Sequence, residues 1–191
     1  MTFLDSLTIL GIEDGVFKPF KRDQRTLICC TSFKKNILVD LQFVWIKVDG
    51  IDVTNKVLTV LAKQQKDIII LGGISFAGFN LIDVKKINEE TGCPIIMLSR
   101  KKPNRDSMRG AIRKHFSDWK ERLTLLRGLG KSYTTITYSG SPPVYFGVFG
   151  TPPEFAEAVL KYSSPLCRIP EPIRTASIIA KGLTRNPEGP I

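Results

Sequence analysis

The stretch DIIILGGISFAGFNLID, residues 67–83, decides the fold. Residues 68–71 are an unbroken apolar run, the pattern of a short strand covered on both faces. Gly72 and Gly73 end it, and Gly78 lets the following loop bend sharply. Asn80 is placed to cap a helix over residues 81–91, with Asp83 three residues on and facing back toward the exposed amides. Gly92 stops that helix. A strand, glycine-rich loop and helix in this order belong to an open α/β sheet, where ligands bind outside the C-terminal strand ends.

Upstream, three extended runs follow one another at residues 7–12, 26–32 and 37–48, joined by polar or proline-containing turns that suit antiparallel hairpins. From Thr54 the pattern becomes helical, with Val57, Leu58 and Leu61 on one face and Lys56, Lys63 and Gln64 turned outward. Downstream, residues 94–99 read as another strand, completing a βαβ alternation with parallel pairing and right-handed crossovers. Residues 106–126 read as one long helix whose buried stripe is Met108, Ile112, Phe116, Trp119, Leu123 and Leu126. Residues 133–149 hold a hairpin around SGSPP. Thr151-Pro152-Pro153-Glu154 starts a helix, with the threonine as cap. A final helix follows Pro170, with Ile173, Ala176, Ile179 and Leu183 inward and Gly182 near its end. The expected organisation is one domain over residues 1–191, with residues 186–191 a frayed tail.

Twenty-eight Lys and Arg against 18 acids give a formal charge of +10 and a pI near 9.6, so the surface carries a positive field. Nucleic acid is the commonest partner for such a field. Cys29 and Cys30 should point to opposite faces of a strand as small core residues, and without a CxxC pair there is no zinc ribbon or thioredoxin motif. The start of the chain has no signal-peptide pattern and no run is long enough to cross a bilayer, so a cytoplasmic location is expected.

Several chemistries drop out. The one histidine, His115, lies three residues from Asp118 on the long helix, as a surface pair rather than part of a relay. No GxxxxGK[ST] or GxGxxG sequence supports a nucleotide cofactor. Acids remain: Glu13 and Asp14 end the first strand, Asp49 and Asp52 end the third, and Glu171 opens the last helix. If the first and third strands are neighbours, these carboxylates converge as oxygen ligands for a hard divalent cation. Each has a second reading: Asp52 as a helix cap, Asp14 and Asp49 as turn residues before glycine, Glu171 as a favourable charge at a helix start. Arg105, Arg109 and Arg113, with Lys120 and Arg127, recur at steps of four and seven. They form either a solvated basic face or a stripe that tracks phosphates.

The order of elements, with acids on strands one and three, is that of the ribonuclease H-like fold. Within it the sequence resembles the archaeal endonuclease dU family, which is related to endonuclease V. The segments that carry the resemblance are LGIEDGVF at 10–17, VDGIDVT at 48–54, GGISFAGFNLID at 72–83, TGCPIIMLSRKKPN at 91–104, HFSDWKERLTLL at 115–126 and IPEPIRTASIIAKG at 169–182. The resemblance implies an α/β mixed sheet with helices on both faces and a nuclease that nicks DNA at or near deoxyuridine. It implies Mg2+ or Mn2+ as cofactor and deoxyuridine-containing DNA as partner. Glu13 and Asp52 would be metal ligands, with Asp14, Asp49 and Glu171 in support and Arg105, Arg109 and Arg113 on phosphates. Three positions depart from the family pattern: Glu13 and Gly72 each stand where aspartate is usual, and Ser177 where histidine is usual. The departures open an alternative, a catalytically degenerate nucleic-acid-binding or repair-accessory protein.

Overall fold

The structure is a computed structural model and describes residues 2–21 and 23–185. The strands are β1 (Thr8–Asp14), β2 (Arg25–Lys34), β3 (Ile37–Lys47), β4 (Ile68–Leu71), β5 (Ser75–Phe76), β6 (Asn80–Leu81), β7 (Ile95–Ser99), β8 (Tyr133–Thr135) and β9 (Val144–Phe149). The α-helices are α1 (Val53–Leu61), α2 (Val84–Thr91), α3 (Arg105–His115), α4 (Trp119–Arg127), α5 (Pro153–Tyr162) and α6 (Glu171–Thr184). Seven strands form one mixed sheet in the order β3-β2-β1-β4-β7-β9-β8. β1, β2 and β3 are antiparallel neighbours, β1, β4 and β7 run parallel, and β9 returns antiparallel to β7 and β8. The expected fold class is therefore the observed one. β1 and β3 are not neighbours, however, because β2 lies between them.

Strand alternation sorts the core into two layers. Leu10, Ile12, Ile69, Leu71, Ile95 and Met97 face α1 to α4. Ile9, Ile68, Ile70, Ile96 and Leu98 face α5 and the start of α6. Cys29 and Cys30 divide as their adjacency predicts, Cys29 against Ala176 and Ala180 of α6, Cys30 in the other layer. The layer holding α6 is thin: a Cβ on Gly11 would overlap Pro172, and one on Gly15 would overlap Thr184. Small residues on both sides thus let α6 lie directly on β1.

Five local readings are corrected by tertiary contacts. The helix expected from residue 81 begins at Val84, capped by Asp83, whose Oδ1 accepts from the Lys86 amide at 3.0 Å. Asn80 is withdrawn from capping because its side chain is buried and bonded to Lys47, Asp52 and Val53. The long helix is two, α3 and α4, since Phe116 turns extended (φ −128°, ψ 128°) and sends its ring into the core against Phe79. Asp118 stands at the start of α4 and pairs with Arg122, and the His115 ring stacks on Phe20. Gln64 is buried rather than outward, because α1 has already ended at Leu61. Pro152, not Thr151, occupies the cap of α5, without a side-chain cap bond. Leu183 is exposed, as Ile173, Ala176, Ser177 and Ala180 form the buried face of α6. The tail expected at 186–191 lies outside the described residues.

Candidate functional site

The loop after β4 is tied to several other segments by side-chain hydrogen bonds. It leaves Gly73, doubles back through the two-residue ribbon of β5 and β6, and has positive φ at Ala77 (46°) and Gly78 (88°). Acids from the strand ends hold this shape. Asp14 Oδ2 accepts from the Ala77 amide at 2.6 Å. Asp49 Oδ1 accepts from the Phe79 amide at 2.9 Å and Oδ2 from the Phe20 amide at 3.0 Å, and the Asp49 amide donates to Ala77 O at 2.8 Å. Asp52 Oδ1 accepts from Asn80 Nδ2 at 2.7 Å and from the Lys47 amide at 3.2 Å. Although Asp52 sits at the start of α1, its side chain makes no cap bond. From α4, Arg122 donates to the carbonyls of Asp49, Gly50 and Phe79 and stacks over Phe116. Asn80 and Arg122 escape sequence reasoning because their partners lie dozens of residues away.

Gly78 is obligatory in this arrangement. Its φ is one that side chains rarely adopt, and a Cβ there would strike Asp49 Oδ1, the atom that holds Phe79. Gly78→Ala is expected to cost about 2–4 kcal/mol, read as a lowered urea midpoint at unchanged m-value. A loss below about 0.5 kcal/mol would show that the clamp yields freely.

Glu13 behaves differently from the clamping acids. It lies on the α6 side of β1, 6% exposed, beside Gly72 on β4's continuation, since Ile12 pairs with Leu71 in register. A Cβ built on Gly72 lands 2.7 Å from each Glu13 carboxylate oxygen. The longer acid therefore fills the space that a side chain at 72 would take, so an aspartate at 72 cannot be added while Glu13 stays where it is. Arg100, just past β7 on the same face, donates from Nη2 to Glu13 Oε1 at 3.2 Å. Lys181 of α6 adds a second positive charge near Glu13 and Asp14, and its Nζ donates to Ser177 Oγ at 2.8 Å.

Burial, and then repulsion from Asp14, push the Glu13 carboxyl up to about 7 despite Arg100 and Lys181. Burial raises Asp14 as well.

The remaining predicted residues are placed elsewhere. Glu171 is buried and gives both oxygens to Arg174 at 2.7 Å. Arg105 spends its guanidinium on the carbonyls of Leu129 and Gly130, and Arg109 pairs with Asp106. Arg113 is exposed near the end of α3. Glu13 and Asp52 share no hydrogen-bond partner, and no group of three or more His, Cys, Asp or Glu among the described residues is arranged to hold a metal ion. Burial raises both Glu13 and Asp14, and Asp14 repels Glu13; carboxylate oxygens of this kind are the ligand type a hard divalent cation takes.

Beside Gly72, the ends of β4, β7 and β9 and the start of α3 enclose a cleft of about 390 Å3, lined in part by Gly73, Ser75, Ser99, Asn104 and Tyr145. The site thus sits where parallel strands end, as the sheet topology requires. No helix among the described residues is long and apolar enough to cross a membrane.

Comparison with solved structures shows a fold shared with endonuclease V, the ribonuclease H-like fold. The chain is similar to an Archaeoglobus fulgidus protein of unknown function (TM-score 0.83, 23% identity, covering 95% of this chain and 100% of that one). It is also similar in fold to Ciona intestinalis endonuclease V, solved with a DNA containing inosine (TM-score 0.62, 13% identity, 91% and 84% covered). The catalytic domain of human endonuclease V gives a TM-score of 0.59 at 15% identity, with 94% and 86% covered. In sequence it is 33% identical over 185 residues to a UPF0215 protein of Pyrococcus furiosus, covering 94% of this chain and 93% of the relative. It is 34% identical over 184 residues to one from Methanopyrus kandleri, covering 94% and 92%. The family model described as Endonuclease dU matches residues 5–184, and this chain belongs to that family.

Proposed function

We propose that the protein cuts a phosphodiester bond of DNA at or near deoxyuridine, with Mg2+ or Mn2+, and so acts in repair of deaminated DNA. The observation that carries the reading is the buried Glu13 carboxylate, paired with Arg100 and in the field of Lys181 at the C-terminal ends of β1, β4 and β7. Membership of the Endonuclease dU family and the endonuclease V-like fold support it.

Glu13 and Asp14 are the residues that would hold the cation, in place of the Glu13 and Asp52 pair expected from sequence. When bound, such an ion activates water and stabilises charge on the phosphate oxygens. Arg100 and Lys181 orient the phosphate, and Arg113 with Lys114 contacts the duplex backbone. An extruded base would enter the cleft beside Gly72, walled by Tyr145 and met by the polar groups of Ser99 and Asn104.

Incubation with a uracil-containing duplex and Mg2+ or Mn2+ is expected to give a nick near the lesion and none in the unmodified duplex. Absence of cutting in both metals counts against the reading.

The second reading, a nucleic-acid-binding or repair-accessory member without cleavage, is favoured by one observation. Asp14, Asp49 and Asp52 all serve the 74–81 loop, and Gly72 offers no carboxylate. Salt-dependent DNA binding with no metal-dependent nick would establish it.

A further inference from the structure

The turn between β1 and β2 leaves the sheet just beyond Glu13 and Asp14, at the end that carries the candidate site. Its sequence over residues 15–24 is GVFKPFKRDQ, with an aromatic residue set between lysines. Phe20 is 56% exposed and has a φ of 61°, a left-handed conformation that a residue with a bulky side chain rarely adopts. A turn alone would be served by glycine or asparagine at that position.

The conformation is held from inside. Asp49, 4% exposed, accepts from the Phe20 amide through Oδ2 at 3.0 Å, and its other oxygen accepts from the Phe79 amide at 2.9 Å. One buried carboxylate thus fixes the loop that bears Phe20 to the loop that follows β4. The Phe20 ring leans on His115 at the C-terminal end of α3, with ring centroids 5.2 Å apart and planes at 45°. With that contact made, more than half of the residue is still open to solvent. Exposed Lys18 and Lys21 lie within two residues of it in the loop, and exposed Arg113 and Lys114 precede His115 in the last turn of α3. Against these cations the loop sets one exposed acid, Asp23.

A ring presented on a fixed backbone among cations suits a partner with flat apolar faces and a negatively charged frame. An unpaired nucleotide has both: its base stacks on the ring while its phosphates meet the lysines and the arginine. We infer that Phe20 stacks on an unpaired base of bound DNA. The cleft lies at the start of α3 and His115 at its end, roughly 16 Å away for eleven helical residues. The base on Phe20 is therefore a second one, distinct from the base that would enter the cleft. The inference rests on the reading of the protein as one that acts on DNA.

Fluorescence anisotropy of a labelled single-stranded DNA of about 20 nucleotides, in EDTA and at low salt, tests it. Phe20→Ala is expected to raise the dissociation constant at least about 5-fold, and Phe20→Trp to hold it within about 2-fold of the parent value. Because the ring meets a base and not a phosphate, the salt dependence of binding should have the same slope in Phe20→Ala as in the parent. A fully paired duplex, which offers no free base face, should bind Phe20→Ala and the parent alike. Should Phe20→Ala lose the far-UV circular dichroism spectrum of the parent, Phe20→Leu keeps an apolar side chain without the ring and makes the same test. Equal binding of the single strand by the parent and a folded variant without the ring overturns the inference and leaves the nuclease reading standing. A loss as large on paired duplex as on single strand, or one accompanied by a shallower salt slope, overturns it too. A parent protein that binds no DNA at low salt overturns both.

Discussion

Glu13→Gln is expected to lose at least about 1000-fold in cleavage rate and yet to unfold at higher urea concentration than the parent at pH 8. Both effects come from one carboxyl. Burial and the neighbouring Asp14 raise its folded-state pKa from 4.5 to about 7, so between those values the folded chain binds more protons than the unfolded chain. Stability therefore falls as pH rises through that window and stays at its lower level above it. Glutamine keeps the shape, removes the charge, and gives up the Arg100 pair at 3.2 Å. The net gain at pH 8 should be about 2–3 kcal/mol, vanishing near pH 4. Urea melts across this range in EDTA, which keeps a cation from lowering the carboxyl pKa, read it directly. Parallel stability curves for the two proteins would falsify the buried-charge account of Glu13. Undiminished cleavage would remove Glu13 from the chemistry.

Arg122→Leu is expected to destabilise by about 3–5 kcal/mol, the largest loss of any single substitution considered. The guanidinium is almost wholly buried and ties the carbonyls of Asp49, Gly50 and Phe79 to Asp118 across three segments. Leucine leaves three carbonyl oxygens without that donor, that of Asp49 buried and those of Gly50 and Phe79 partly buried. Arg122→Lys should recover less than half of the loss, because one ammonium cannot reproduce a planar fork of donors. Urea unfolding of both variants is the measurement. A cost under about 1 kcal/mol for leucine would mean that the carbonyls find other donors. Freeing the 74–81 loop would also release Ala77 from Asp14, so cleavage should fall with stability rather than independently of it.

The backbone plan was legible because it is written in local periodicity. The IIIL run at 68–71 and the extended pattern over residues 26–48 each depend on neighbours a few residues apart. Where the local pattern failed, a distant partner had overruled it. Phe116 breaks a continuous helical stripe to reach Phe79, and Asn80 leaves its cap position to join Lys47, Asp52 and Val53.

The same division runs through the site. Sequence alone singled out Glu13, Asp14, Asp49 and Asp52 as acids at strand ends, since carboxylates in those positions are visible in the chain itself. It could not assign their work, because an acid that ligates a cation and one that pins a loop amide look identical until the amide is located. Only the tertiary structure gave Asp49 to Phe20 and Phe79, Asp52 to Asn80, and Glu13 to the space over Gly72 beside Arg100. Strand formation depends on the residues next in line, whereas the protonation and partners of a carboxylate depend on burial and charges brought from β4, β7 and α6, which exist as neighbours only after folding.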